Sequence, residues 1–152
     1  SNSVPVPVYL EVLIRPKSKQ QLLAELNAAN MSVAEFAEEL MSKPTWRSET
    51  EGLIRFARLK IRDLGFVRSP TDAEVWERVK EVECTLCEPG DGPQIRLALT
   101  DQAPNDRVWV PDGTPYLFQI MRWEDGKHVL SGGYTHPTPI WGLDQDILVR
   151  LP

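Results

Sequence analysis

Glu88-Pro89-Gly90-Asp91-Gly92-Pro93-Gln94-Ile95-Arg96-Leu97-Ala98-Leu99-Thr100, residues 88–100, is the stretch on which the fold assignment turns. Its first six residues are breakers, dense in glycine and proline. Behind them Ile95, Leu97 and Leu99 alternate with Arg96, Ala98 and Thr100. That period of two predicts a half-buried strand. Upstream of the cluster the apolar residues recur at helical spacing instead. The cluster therefore marks the junction between a helical half, about residues 17–87, and a β half, about residues 94–151. It is too short to act as a free linker, so residues 1–152 are expected to form a single domain.

Within the β half, Arg107 to Val110 reads as a short strand, and Pro111-Asp112-Gly113-Thr114 turns the chain into Tyr116–Trp123. Asp125-Gly126 turns it again into Lys127–Leu130. Asp-Gly pairs between β-formers are strong hairpin signals, because glycine supplies the positive φ of the turn. Asp146–Leu151 supplies a last strand. At the other end Val4–Ile14 is β-branched and apolar, but Pro5 and Pro7 lack amide donors, which suits an edge strand.

Four helices are expected between these parts. Ser18 with Gln21 is a capping-box spacing ahead of Leu22, Leu23, Leu26 and Ala29. Ser32 with Glu35 repeats it ahead of Val33, Phe36, Ala37, Leu40 and Met41, an amphipathic stripe. Trp46–Leu64 carries Leu53, Ile54, Ala57, Ile61 and Leu64 on one stripe, with Gly65 as a left-handed cap. Ser69-Pro70-Thr71-Asp72 opens a fourth helix, with Pro70 at its first position and Val75, Trp76, Val79 and Val82 on its buried side. The resulting expectation is an α+β fold: an antiparallel β-meander sheet of about five or six strands, packed on one face against about four helices of the N-terminal half.

The chain has 152 residues, with 41% hydrophobic and 26% charged, near globular averages. Seventeen Lys+Arg against 22 Asp+Glu leave a net charge of −5, which argues against a nucleic-acid coat or a polybasic membrane binder. No run of 18 apolar residues is present. The first residues lack a basic segment followed by an apolar core, and Ser1-Asn2 reads as a scar of tag removal. Two cysteines are too few for a disulfide framework, so a reducing, cytoplasmic location is expected, with a secreted protein bearing one local disulfide as the alternative.

Several groups could carry chemistry. Cys84-Thr85-Leu86-Cys87 could share a metal or form a redox couple, with His128 and His136 as further ligands to zinc. The two histidines are eight residues apart, outside the common H-x3-5-H spacing, and the CxxC closes a helix instead of opening one. Structural thiols are the plainer alternative. Between Lys43 and Arg68 seven Lys/Arg face three Asp/Glu. On a helix Arg55, Arg58 and Arg62 would form one basic stripe, either solvated or open to phosphate or an acidic partner. Asn30–Leu40 resembles the first helix of helix-turn-helix regulators. That resemblance implies a DNA-binding role in which the basic helix, about residues 46–64, enters the major groove. Met41 stands where such a turn commonly has glycine, and Pro44 lies in the connection.

The segment Ser131–Gly142 mixes glycines and prolines with Tyr134, His136 and Trp141, a composition that suits a binding loop. His128, His136, Asp125, Asp144 and Asp146 are the acid–base candidates, yet no G-x-S-x-G, H-E-x-x-H or phosphate-loop pattern occurs. Trp46 and Trp76 are expected in the core, and Trp109 and Trp123 are expected to stack across a hairpin. The favoured expectation is a small non-enzymatic binding protein. Its partner would be a protein or a second copy, engaged through the Tyr134–Trp141 loop, a sheet face or a sheet edge. The alternatives are the DNA-binding regulator and a metal or thiol-redox protein centred on Cys84 and Cys87.

Overall fold

The structure is a computed structural model that describes residues 6–136 and 138–152. Ser1-Asn2, the Val4-Pro5 start of the expected first strand and Pro137 of the expected loop lie outside the described residues. Seven strands form one sheet: β1 (Leu10–Ile14), β2 (Ser32–Val33), β3 (Gly52–Lys60), β4 (Arg107–Pro111), β5 (Tyr116–Arg122), β6 (His128–Tyr134) and β7 (Asp146–Arg150). Their spatial order is β1-β3-β7-β4-β5-β6-β2. The helices are α1 (Lys19–Ala28), α2 (Glu35–Leu40), α3 (Asp72–Glu81) and α4 (Asp91–Ala98).

The α+β assignment stands, but the purely antiparallel meander does not. The β4-β5-β6 meander forms as expected, joined by turns in which Gly113 has φ +84° and Gly126 φ +92°. Two pairs are parallel, however: β4 with β7 and β2 with β6. The sheet is therefore mixed, and it curls into a half-barrel. Its two edges, β1 and β2, are joined by α1, which bridges the open seam between them.

Two segments exchange their expected roles. Gly52–Lys60, read as part of the third helix, is strand β3; only Ile61–Leu64 coils, as a 3-10 turn capped by Gly65 at φ +93°. Consecutive Phe56 and Ala57 are both fully buried, on opposite faces of the sheet, while Leu53 stands exposed, so apolar residues do not follow the alternation of the strand. Residues 91–98, expected to hold the end of the breaker cluster and the start of the strand at 95–100, are helix α4, with Asp91 to Arg96 all buried. Pro93 sits in its first turn, where a missing amide costs nothing. A helix whose first six residues are all buried carries little amphipathic period. Ser32 likewise does not cap a helix: it lies in β2, and α2 begins after Ala34 without a side-chain cap.

Local capping was read correctly elsewhere. Ser18 accepts the Gln21 amide at the start of α1. Thr71 and Glu74 form a reciprocal capping box on α3, which places Pro70 before the cap and outside the first turn. Helices cover both sheet faces, in contrast to the single covered face expected. Inside the half-barrel, Leu22 and Leu26 of α1, Ala37 and Leu40 of α2 and Ile95 of α4 pack on Val12, Phe56, Phe118 and Leu148. On the outer face Val75 and Val79 of α3 pack with Trp141, Ala57, Ile147 and Val149. Trp109 packs against Trp141 at 6.4 Å, and Trp141 against Trp76 at 6.1 Å, while Trp123 stays half exposed. The expected Trp109–Trp123 stack is replaced by this outer-face aromatic row.

Candidate functional site

Among the described residues, strand β1 pairs with β3 on one side and with no strand on the other. The Phe56 carbonyl accepts from Tyr9, so it faces β1, whereas the Arg55 carbonyl accepts from Leu151 and faces β7. With Leu10 opposite Phe56 and Val12 opposite Ile54, the peptide groups of Glu11 and Leu13 must face outward, away from β3. Arg15 is the next outward residue. There the buried side-chain amide of Gln94 takes the place of a neighbouring strand, accepting from Arg15 N–H at 3.0 Å and donating to its carbonyl at 2.8 Å.

Outside this edge runs a groove of about 530 Å³. Val12 and Leu13 line it from β1, Ala28 and Ala29 from the end of α1, and Leu97 and Ala98 from α4. Lys17 and Glu25 cross it with an ion pair of 2.9 Å. The second carboxylate oxygen of Glu25, Oε2, is buried and accepts no hydrogen bond. Leu13 is 49% exposed and its register partner Leu53 63%, an apolar pair standing at the edge.

Past Lys17 and Gln94, which line both, the groove continues into a cleft of about 300 Å³. Arg15, Lys17 and Arg47 supply cations there, and Trp46 an indole whose buried Nε1 has no acceptor. Trp46 was expected as plain core; it lines this cleft. The wall behind it is held firmly. Ser48 donates to Asp91 at 2.9 Å, and Glu88 accepts the amides of Glu49 and of Thr50, the latter at 3.0 Å. Gly90 permits the approach, since a Cβ there would lie 2.5 Å from the Ser48 nitrogen.

The expected site residues divide differently. Arg55, Arg58 and Arg62 do not form one stripe. Three residues apart on a strand, Arg55 and Arg58 project to opposite faces. Arg55 donates to the Pro152 carbonyl at 2.6 Å, and Arg62 pairs with Asp144 at 3.2 Å. Arg58 is gripped by Asp106 at 2.6 Å, by Asp146 and by Tyr9. Those hydrogen bonds, from Asp106 first, hold its guanidinium above its usual range. The segment that a helix-turn-helix would lay in a major groove is β3 itself.

The aromatic loop folds back. Trp141 is buried and donates to Asp72 at 2.6 Å, and the His136 amide donates to the same carboxylate at 2.9 Å. Tyr134 remains exposed but packs edge-on to Phe36 at 4.7 Å. Cys84 belongs to the outer-face cluster and Cys87 to the inner one, each hydrogen-bonded to a backbone carbonyl. Burial raises both thiols above their usual range. His128, at the start of β6, is pushed below its usual value by burial and by the Arg96 charge. Among the described residues no three His, Cys, Asp or Glu side chains gather as a metal site.

No protein-family model, curated protein or solved structure matches this chain. Its function is therefore argued from its own geometry. Sequence reasoning missed Leu13, Gln94 and Trp46 as site residues and counted Arg47 only within a charge run. An edge strand is expected over Val4–Ile14, and Leu10–Ile14 is one. Its groove could not be foreseen while residues 88–93 read as breakers and 95–100 as a strand, because α4 supplies Gln94, Leu97 and Ala98 to it.

Proposed function

We propose that this chain is a non-enzymatic binding protein that takes an extended segment of a partner protein as an added strand along β1. The observation that carries the proposal is the outward-facing backbone of Glu11 and Leu13 beside a 530 Å³ groove. An open edge offers main-chain hydrogen bonds to any extended peptide, and an adjoining apolar wall sorts its alternate side chains. A volume of this size lies within the range of small-ligand sites, roughly 300–1,000 Å³. The groove lies between β1 and the C-terminal part of α1, which line its two sides. Two free cysteines are in keeping with a reducing, cytoplasmic location. No helix among the described residues is long and apolar enough to cross a membrane.

The test is an array of random decapeptides probed with the wild-type protein and with Leu13→Pro. Proline at residue 13 removes an outward amide and no bond to β3, so the fold should survive, as a thermal melt will report. Peptides bound by the wild type should be lost by the variant. Binding that ignores the substitution would refute the assignment. A concentration-dependent dimer abolished by Leu13→Pro would identify the occupant as a second copy instead.

A further inference from the structure

We infer that the cationic cleft at the end of the groove reads a free C-terminal carboxylate, so the docked segment ends there and runs parallel to β1. This rests on the strand-addition proposal above and adds the chemistry of the ligand's end. Three observations carry it.

The first is charge. Arg15, Lys17 and Arg47 surround a cleft of about 300 Å³ that no acidic side chain lines. Lys17 and Arg47 each hold one glutamate at 2.9 and 3.3 Å, while Arg15 makes no ion pair among the described residues. Ser18, the N-cap of α1, also lines the cleft, so the positive end of that helix adds to the field. An ammonium group would be repelled here, which fixes the direction of a docked chain.

The second is unused hydrogen-bonding capacity. Trp46, which lines the cleft, has a buried Nε1 donor without an acceptor; Glu25, which lines the groove, has a buried Oε2 acceptor without a donor. A buried polar atom left unpaired costs stability, so such atoms call for a partner. A peptide ending in the cleft offers both: backbone N–H groups along the groove and carboxylate oxygens at its end.

The third is the wall. Gln94 occupies the outward peptide groups of Arg15, and Arg47 and Ser48 lie close against Gly90. An added strand can therefore pair with Glu11 and Leu13 but not with Arg15, so beyond Leu13 it leaves the strand edge for the cleft that Lys17 and Gln94 also line. A pairing edge that stops beside a cluster of cations suits a chain terminus better than an internal acidic residue, whose chain must continue.

The experiment uses the full chain and decapeptides bound in the array, each resynthesised in three forms: free carboxylate, carboxamide, and carboxamide preceded by an added glutamate. Fluorescence polarisation should show the free acid binding about tenfold or more tighter than the carboxamide, as expected for charge-assisted hydrogen bonds. Arg15→Gln with Arg47→Gln, both at exposed side chains, should bring that ratio close to one while leaving carboxamide binding in place. Trp46→Phe should lower the ratio in the same sense. Equal binding of acid and carboxamide would overturn the carboxylate assignment and leave strand addition standing, provided Leu13→Pro still abolishes binding. Full recovery by the added glutamate would overturn the requirement for a chain terminus. Failure of every decapeptide to bind would overturn both readings together.

Discussion

Asp91 and Arg150 form an enclosed two-pronged ion pair, Nε to Oδ2 at 2.8 Å and Nη2 to Oδ1 at 2.7 Å, in which Asp91 is 0% exposed. Asp91 opens α4 and Arg150 ends β7, so the pair bolts the central helix to the sheet. The same carboxylate accepts the Ser48 hydroxyl and the Glu88 amide, each at 2.9 Å. It thereby carries the loop that walls the cationic cleft. Asp91→Ala should destabilise the protein by roughly 3–5 kcal/mol, because Arg150 is left buried with Glu88 as its one remaining acidic partner. Adding Arg150→Met should recover part of that loss. A urea double-mutant cycle reads the coupling, and strict additivity of the two substitutions would contradict the account.

Gly92 lets α4 sit directly on β5. A Cβ at this position would lie 2.5 Å from Cδ2 of Phe118 and 2.8 Å from its Cβ. Phe118 is buried and has nowhere to retreat, so Gly92→Ala should cost about 1–3 kcal/mol through overpacking. Gly133→Ala is the matched control: its Cβ would meet Trp109 at an ordinary 3.4 Å. Chemical denaturation should separate the two variants clearly. Equal stabilities would mean that Phe118 yields.

Asp106 is held below its ordinary value of 3.8, chiefly by hydrogen bonds from Arg58. Between the depressed native value and the unfolded one, the unfolded chain binds more protons, so stability rises with pH across that window. The contribution is complete above the unfolded value and is lost as pH falls through the native one. Glu88, held down by the amides of Thr50 and Glu49, acts in the same sense. Asp112, raised by burial, acts in the opposite sense. Asp106→Asn should therefore flatten the acid limb of the stability curve relative to wild type. Superimposable acid limbs in equilibrium denaturation below about pH 4 would count against the Arg58 pairing.

Both thiols should be slow to react. The thiolate is the attacking species, and burial raises Cys84 and, further, Cys87 above 9.0. In native protein at neutral pH a thiol reagent should consume neither cysteine on the timescale on which it consumes both in denaturant. Rapid reaction of either in the native state would revive a redox role for the pair. Cys87 packs in the inner cluster and Cys84 in the outer one.

Signals that act within three or four residues were legible in the sequence. The Ser18 cap, the Thr71–Glu74 box and the Asp-Gly turns at Gly113 and Gly126 need no distant partner, because the hydrogen bonds they make are local. The β4-β5-β6 meander followed from those turns. Residues 52–60, read as helix, and 95–98, read as strand, were misread in opposite directions. Secondary-structure periodicity is written by contrast between an apolar face and a polar one. In β3 apolar residues stand on both faces, with Phe56 and Ala57 buried in succession and Leu53 exposed, and in α4 Asp91 to Arg96 are buried in succession.

The sequence by itself thus determined the turns, the caps and the presence of an edge strand near the N-terminus, since backbone chemistry at those points is settled by neighbours along the chain. Tertiary structure alone decided that α4 fills the half-barrel, and that β7 inserts between β3 and β4. It also decided that Gln94, Trp46 and Arg47 meet Arg15 and Lys17 at the cleft past the Leu13 groove. Those residues come from three stretches far apart in the chain. Burial of Asp91 to Arg96 in succession removes the period that would have revealed α4, and a groove exists only where separate elements leave space between them.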